Sequence, residues 1–139
     1  MTILTKYIKV QSKGENEIID LTDNISTKIK ETQISSGIVV IFVTGSTGAL
    51  TTIEYEPGLL KDFPKMLSRI APNELKYEHE QMWHDGNGRS HVKASLIGSS
   101  LTIPFNDKKL LLGTWQQIVF VELDIRGRER NIVLQIIGN

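Results

Sequence analysis

Ile38-Val39-Val40-Ile41-Phe42-Val43 is an unbroken run of six apolar residues, five of them β-branched. It is too short for a typical helix and too rich in branched side chains for a loop, so it predicts a strand buried on both faces. A strand of that kind belongs at the centre of a sheet, and the rest of the chain has to supply its neighbours. Gly37 stops whatever precedes it, and Thr44-Gly45-Ser46-Thr47-Gly48 interrupts the pattern after it.

The flanking sequence supplies those neighbours. Residues 2–12 alternate apolar and polar as a half-exposed strand does, and Gly14-Glu15-Asn16 follows as a turn. Asp20 to Thr22 can cap a helix running to about Ser35, with Leu21, Ile25 and Ile29 along one face. Ala49 to Tyr55 reads as a second strand. Leu60, Phe63, Leu67 and Ile70 mark a second helix that ends near Ala71-Pro72, with Pro64 early in it. Val92 to Ile97 fits a short helix or a strand equally well. Apolar runs at 99–105, 110–123 and 131–137 are separated by turn-forming residues and predict antiparallel strands. The expected fold is α+β: a single compact domain over residues 1–139, with a largely antiparallel sheet core and two main helices.

Composition narrows the function. Sixteen basic and sixteen acidic side chains cancel, so nothing draws a polyanion by long-range attraction and nucleic acid is not an expected partner. Cysteine is absent, which excludes disulfides, thiolate metal sites and cysteine nucleophiles. No segment approaches the length of a membrane span. The expectation is a cytoplasmic protein whose metal ligands, if any, are nitrogen and oxygen.

All three histidines, at 79, 84 and 91, fall within one stretch, with Asp85-Gly86-Asn87-Gly88-Arg89 between the last two. That run is too glycine-rich for a stable helix and too polar for a core strand, so a loop delivering side chains to a site is expected. Neutral imidazole is a common zinc ligand, and three donors with one open position make a catalytic zinc site. The spacings of five and seven match no local metal signature. The glycines of Thr44–Gly48 could let Ser46, Thr47 and backbone amides approach a phosphate, although the Gly-Lys-Ser/Thr ending of a P-loop is missing. Glu54 and Glu56 share a strand face if the strand continues. Gly113 suggests a bulge that aims Gln116 into a pocket. Arg126, Arg128 and Arg130 most simply make a solvated hairpin tip.

The strings HVKASLIGSSLTIP and LLLGTWQQIVFVELD, with the Tyr-x-His of Tyr77 and His79, resemble the YjbQ family of secondary thiamine-phosphate synthase enzymes. The resemblance runs from Gly37 to Gly138. It implies a homotrimer with histidine-rich pockets able to hold zinc. It also implies weak joining of hydroxymethylpyrimidine diphosphate to thiazole phosphate with loss of pyrophosphate. By position, His79 and His91 match family histidines, Glu54 an acidic strand end, Asn87 an Asp/Asn position and Gln116 the glutamine of Gly-Thr-Trp-Gln.

On this reading Glu54, Asn87, His91 and Gln116 are catalytic, while Ser46, Thr47, Arg89 and Lys93 hold phosphates. His79, His84 and His91 hold the metal, and magnesium accompanies a diphosphate substrate. Two departures from the family stand out: Gly45-Ser46-Thr47 replaces His-Thr-Thr, and Arg89 replaces the first histidine of His-x-His. His84 is a candidate substitute donor. A zinc-dependent hydrolase of a small phosphorylated or amide metabolite, and a non-catalytic trimer that binds metabolite or metal, are the competing readings.

Overall fold

The computed structural model describes all 139 residues. Its strands are β1 (Thr2–Gln11), β2 (Ile18–Asp20), β3 (Gly37–Val43), β4 (Gly48–Glu54), β5 (Ser100–Asn106), β6 (Lys109–Leu110), β7 (Gln116–Glu122) and β8 (Glu129–Gly138). Its helices are α1 (Thr22–Lys30), α2 (Pro57–Ile70), α3 (Glu78–Trp83) and α4 (Gly88–Ile97). One sheet has the order β1-β8-β3-β5-β6 and the other β2-β7-β4, and every pairing is antiparallel. The α+β class, the antiparallel core and the two main helices are as expected. No helix is long and apolar enough to cross a membrane.

The apolar periodicities explain the layers. Val39, Ile41 and Val43 of β3 point inward with Ile132, Leu134 and Ile136 of β8. They share one core with Leu50 of β4, Ile118 and Phe120 of β7, and Ile25 and Ile29 of α1. The opposite face of the small sheet, Ala49, Val119 and Val121, packs in a second cluster with Leu67 of α2 and Ala94 of α4. The small sheet therefore lies between the large sheet and two helices.

This arrangement corrects the reading of β3. It is the middle strand of the larger sheet, but only one of its faces is covered: Ile38 is 38% exposed and Phe42 is 41% exposed. The strand buried on both faces is β7, where Ile118, Val119, Phe120 and Val121 are all buried. Truncating Phe120 there would cost about 3–5 kcal/mol in lost transfer energy and cavity. β3 is apolar on both faces although its outer one has no cover within the chain.

Other boundaries also shift. α1 stops at Lys30 rather than near Ser35, because Thr32 folds back and donates both its amide and its hydroxyl to the Ile29 carbonyl. The 110–123 run is not one strand: residues 111–115 form a connection, and Gly113 belongs to it rather than to a strand bulge.

Candidate functional site between α3 and α4

The histidine stretch is a helix–turn–helix rather than a loop. His84 closes α3 in the left-handed conformation at φ 57°, and Gly86 repeats it at φ 70°. These two residues reverse the chain within three positions, so that Asn87 leads α4 back beside α3. The Asn87 carbonyl accepts the amides of Ser90 and His91, and Glu80 of α3 accepts the amide of Gly88. A Cβ at Gly88 would lie 2.5 Å from Cβ of Tyr77, so the close approach of the helices requires glycine there. Tyr77 is itself held by its hydroxyl donating to the Pro72 carbonyl at 2.7 Å.

The outcome is a grouping of His79, Asp85, Asn87 and His91. The two imidazoles lie 4.4 Å apart between ring centroids, tilted by 50°. His79 Nε2 is 3.4 Å from Asp85 Oδ1. Asn87 is buried, with one end of its amide toward His79 and Asp85. Oriented with nitrogen there, it donates to Asp85 Oδ1 at 2.8 Å and to His79 Nε2 at 3.1 Å. Turned over, it donates instead to Asp124 Oδ1 at 3.4 Å. The first set is shorter and is the better one for the chain by itself.

Below Asn87 runs a buried polar network. Arg130 and Glu122 form a two-point ion pair, both almost wholly buried. Arg130 also donates to Thr47 Oγ1 at 2.9 Å, and Thr47 donates to Asp124 Oδ2 at 3.0 Å. Burial pushes the Asp124 carboxyl up, but hydrogen bonds from the Ile125 amide, Arg128 and Thr47 outweigh it and hold the group below its ordinary range. Arg130 is thus no solvated tip. It occupies an inward position of β8, in register with Ile132, Leu134 and Ile136, and that alternation was the available signal.

Several expected residues are committed elsewhere. Arg89 grips Glu15 with Nε at 2.8 Å and Nη2 at 2.9 Å, and this bonding raises the affinity of its guanidinium for its proton against the opposing effect of burial. Lys93 is buried, 3.9 Å from the same carboxylate. Burial lowers its amine, and the Glu15 charge offsets part of that. Neither cation faces an open anion site in this chain. Thr47 is buried in the polar network. Ser46 is exposed and lines a cavity of about 220 Å³ with Gly45, Ser95 and Ser99.

Glu54 and Gln116 face each other across β4 and β7, six residues from the Gly48 end and so about 20 Å from it at strand rise. Gln116 donates to Thr52 Oγ1 and accepts the Gly113 amide. Glu54 borders a hollow of about 440 Å³ with Asp20, Asp23 and Trp115. The three-imidazole set is not assembled either. His84 is exposed at the end of α3, and no three His, Asp or Glu side chains of the chain converge as cation ligands.

A family model described as UPF0047 protein YjbQ-like matches residues 6–139. The chain belongs to the YjbQ family. Among its relatives is a UPF0047 protein of Methanocaldococcus jannaschii, 36% identical over 138 residues, which cover 99% of this chain and 96% of the relative. YugU of Bacillus subtilis is 31% identical, with 97% and 100% covered. Among solved structures, a YbjQ-like protein of Sulfolobus solfataricus superposes with a TM-score of 0.89 at 29% identity, covering 99% of this chain and all of that one. The YjbQ fold therefore positions Asn87 and the two histidines through the α3–α4 reversal.

Proposed function

We propose that this YjbQ protein is a cytoplasmic homotrimer that binds a small phosphorylated metabolite beside α3 and α4. There it slowly joins hydroxymethylpyrimidine diphosphate to thiazole phosphate. The supporting observation is the pairing of His79 and His91 next to buried Asn87. Imidazole both donates to oxygen and exchanges protons near neutrality. In the reaction the thiazole nitrogen bonds to the exocyclic methylene while the carbon–oxygen bond to diphosphate breaks, its electron pair leaving with pyrophosphate. The nitrogen becomes quaternary, so no proton has to be removed from it. The demand falls on the leaving oxygens, to which His91 donates. His79 and Asp85 would hold a divalent cation, zinc or magnesium, whose chemistry would be charge neutralisation of the diphosphate.

Trimer formation is supported by the uncovered face of the large sheet. Ile3, Ile137, Ile38 and Pro104 make one cross-strand row, and Tyr7, Val133, Phe42 and Ser100 another. Thr5, Gln135, Val40 and Thr102 lie between these rows on the same face, and two exposed apolar rows flanking a polar one suit an association surface. Glu54 and Gln116 enter the chemistry only if a neighbouring subunit brings them to the histidines.

Supplying both precursors to purified protein tests the reading. Thiamine phosphate and pyrophosphate should appear in equal amounts, and the rate should fall at least tenfold in His91→Ala, the order expected for loss of a proton-handling group. Product no higher than in that variant sinks it. The His79–Asp85 grouping also suits a metal-dependent hydrolase. Release of phosphate from one precursor alone, abolished by a chelator and restored by zinc, would favour that second reading.

A further inference from the structure

Two cations of α4 share one carboxylate. Arg89 and Lys93 both meet Glu15, which belongs to the turn between β1 and β2. Arg89 takes both oxygens of that carboxylate, Oε2 with Nε at 2.8 Å and Oε1 with Nη2 at 2.9 Å. Lys93 is left with its amine 3.9 Å from Oε2, outside hydrogen-bonding range. An ammonium carries three protons, and Lys93 donates none of them to an acceptor in the chain although its side chain is only 1% exposed. A buried charge is expected to be both paired and hydrogen-bonded. Glu80, the other carboxylate near Arg89, accepts the Gly88 amide and pairs with neither cation. Ser90 lies three residues before Lys93 on the same side of α4, and its hydroxyl is fully enclosed without a hydrogen-bond partner. This side of the helix therefore holds one positive charge in excess and two buried donor groups that are not used.

We propose that Arg89 and Lys93 form a site for a phosphate group, and that Glu15 occupies it in the ligand-free chain as an internal competitor. A carboxylate offers two oxygens and one charge, whereas a phosphate group offers three free oxygens and nearly two charges. Two of those oxygens enter the Arg89 fork as the carboxylate does. A third is then available to Lys93, which the carboxylate cannot satisfy while both of its oxygens are on Arg89. Displacing Glu15 needs only a side-chain rotation. The backbone of its turn is held independently, by the Asn16 amide donating to the Glu122 carbonyl at 2.8 Å and the Glu17 amide donating to the Gly14 carbonyl at 3.3 Å. The Glu15 side chain is 20% exposed, so it has a way out into water. Lys93 lies about 160° round α4 from His91 at 3.6 residues per turn. The site is thus separate from the paired imidazoles and stands whether or not the synthase reading holds.

Phosphate binding to the full-length protein, followed by calorimetry and by thermal melts at matched ionic strength, is the test. Glu15→Gln removes the competing charge and should bind inorganic phosphate about tenfold more tightly than the wild type, the order of one charge-assisted interaction. Without phosphate this variant should melt below the wild type, and phosphate but not chloride should restore it. Lys93→Met in the Glu15→Gln background should abolish the gain, and His91→Ala in that background should keep it. Glu15→Asp retains the charge but shortens the reach to Arg89, so it should gain less, and it carries the test if Glu15→Gln does not fold. Glycerol 3-phosphate in place of inorganic phosphate separates the two sources of the group: an equal gain supports the phosphoryl end of a metabolite, and a gain with inorganic phosphate alone supports the free ion. The proposal is overturned if neither Glu15 variant binds phosphate more tightly than the wild type, if chloride reproduces the effect, or if Lys93→Met keeps the gain.

Discussion

Asp124 shows how single residues set the balance of the site. Burial alone would favour its neutral form, yet three hydrogen bonds to the carboxylate keep its pKa below the ordinary value. A depressed folded pKa means that the unfolded chain binds the proton more readily. The resulting stability is complete above the ordinary carboxylate range and is lost as pH falls through the folded value. Denaturant midpoints measured from pH 6 down to pH 2 should therefore fall steeply in the wild type and less steeply in Asp124→Asn; parallel acid limbs would refute this. At this scale the sequence was legible where a residue type is rare or a period is strict. His79 and His91 stood out as imidazoles within a family motif. Arg130 could have been placed by its period-two alignment with the apolar residues of β8. Asp85 and Glu15 could not, because a carboxylate in a turn ordinarily faces water; the chain reversal puts Asp85 against His79, and a contact between distant segments puts Glu15 against Arg89.

Among the elements, the longer strands were legible because branched apolar residues and turn residues alternate along the chain, while the three-residue β2 was not. The pairing of strands was not. β3 runs between β8 and β5, and its first residue, Gly37, faces both Gly138 and Phe105. A Cβ at Gly37 would stand 1.9 Å from the Ile137 carbonyl oxygen, a backbone atom that can move only by opening the sheet. Gly37→Ala should cost about 2–4 kcal/mol of unfolding free energy, the range of a severe local clash. Equilibrium denaturation checks this, and an effect within error would show that the strands part without penalty. α3 and α4 were hidden for a different reason. α3 has six residues, too few to display a periodicity, and α4 begins on Gly88-Arg89, residues that read as loop. α3 packs on α4 and α4 packs on β4, and tertiary contact overrides weak propensity.

At the scale of the whole molecule, the proposed trimer rests on the uncovered face of the large sheet. Phe42→Asp should convert a trimer into a folded monomer, because the side chain is outside the core and its replacement leaves the chain's own packing untouched. Light scattering after size exclusion gives the mass, and far-ultraviolet circular dichroism the fold. A variant that stays trimeric would place the interface elsewhere. The same assembly question governs Glu54 and Gln116, which lie at the end of the small sheet remote from the histidines.

The amino-acid sequence by itself determined the class of fold, the longer strands and the histidine-bearing segment, since these depend on local periodicity and residue chemistry. Which strand is covered on both sides, which cations are already paired, and which carboxylate meets His79 were decided only by tertiary structure. Those outcomes depend on contacts between residues far apart in the chain, such as Glu15 with Arg89 and Thr47 with Asp124, and no local pattern encodes such meetings.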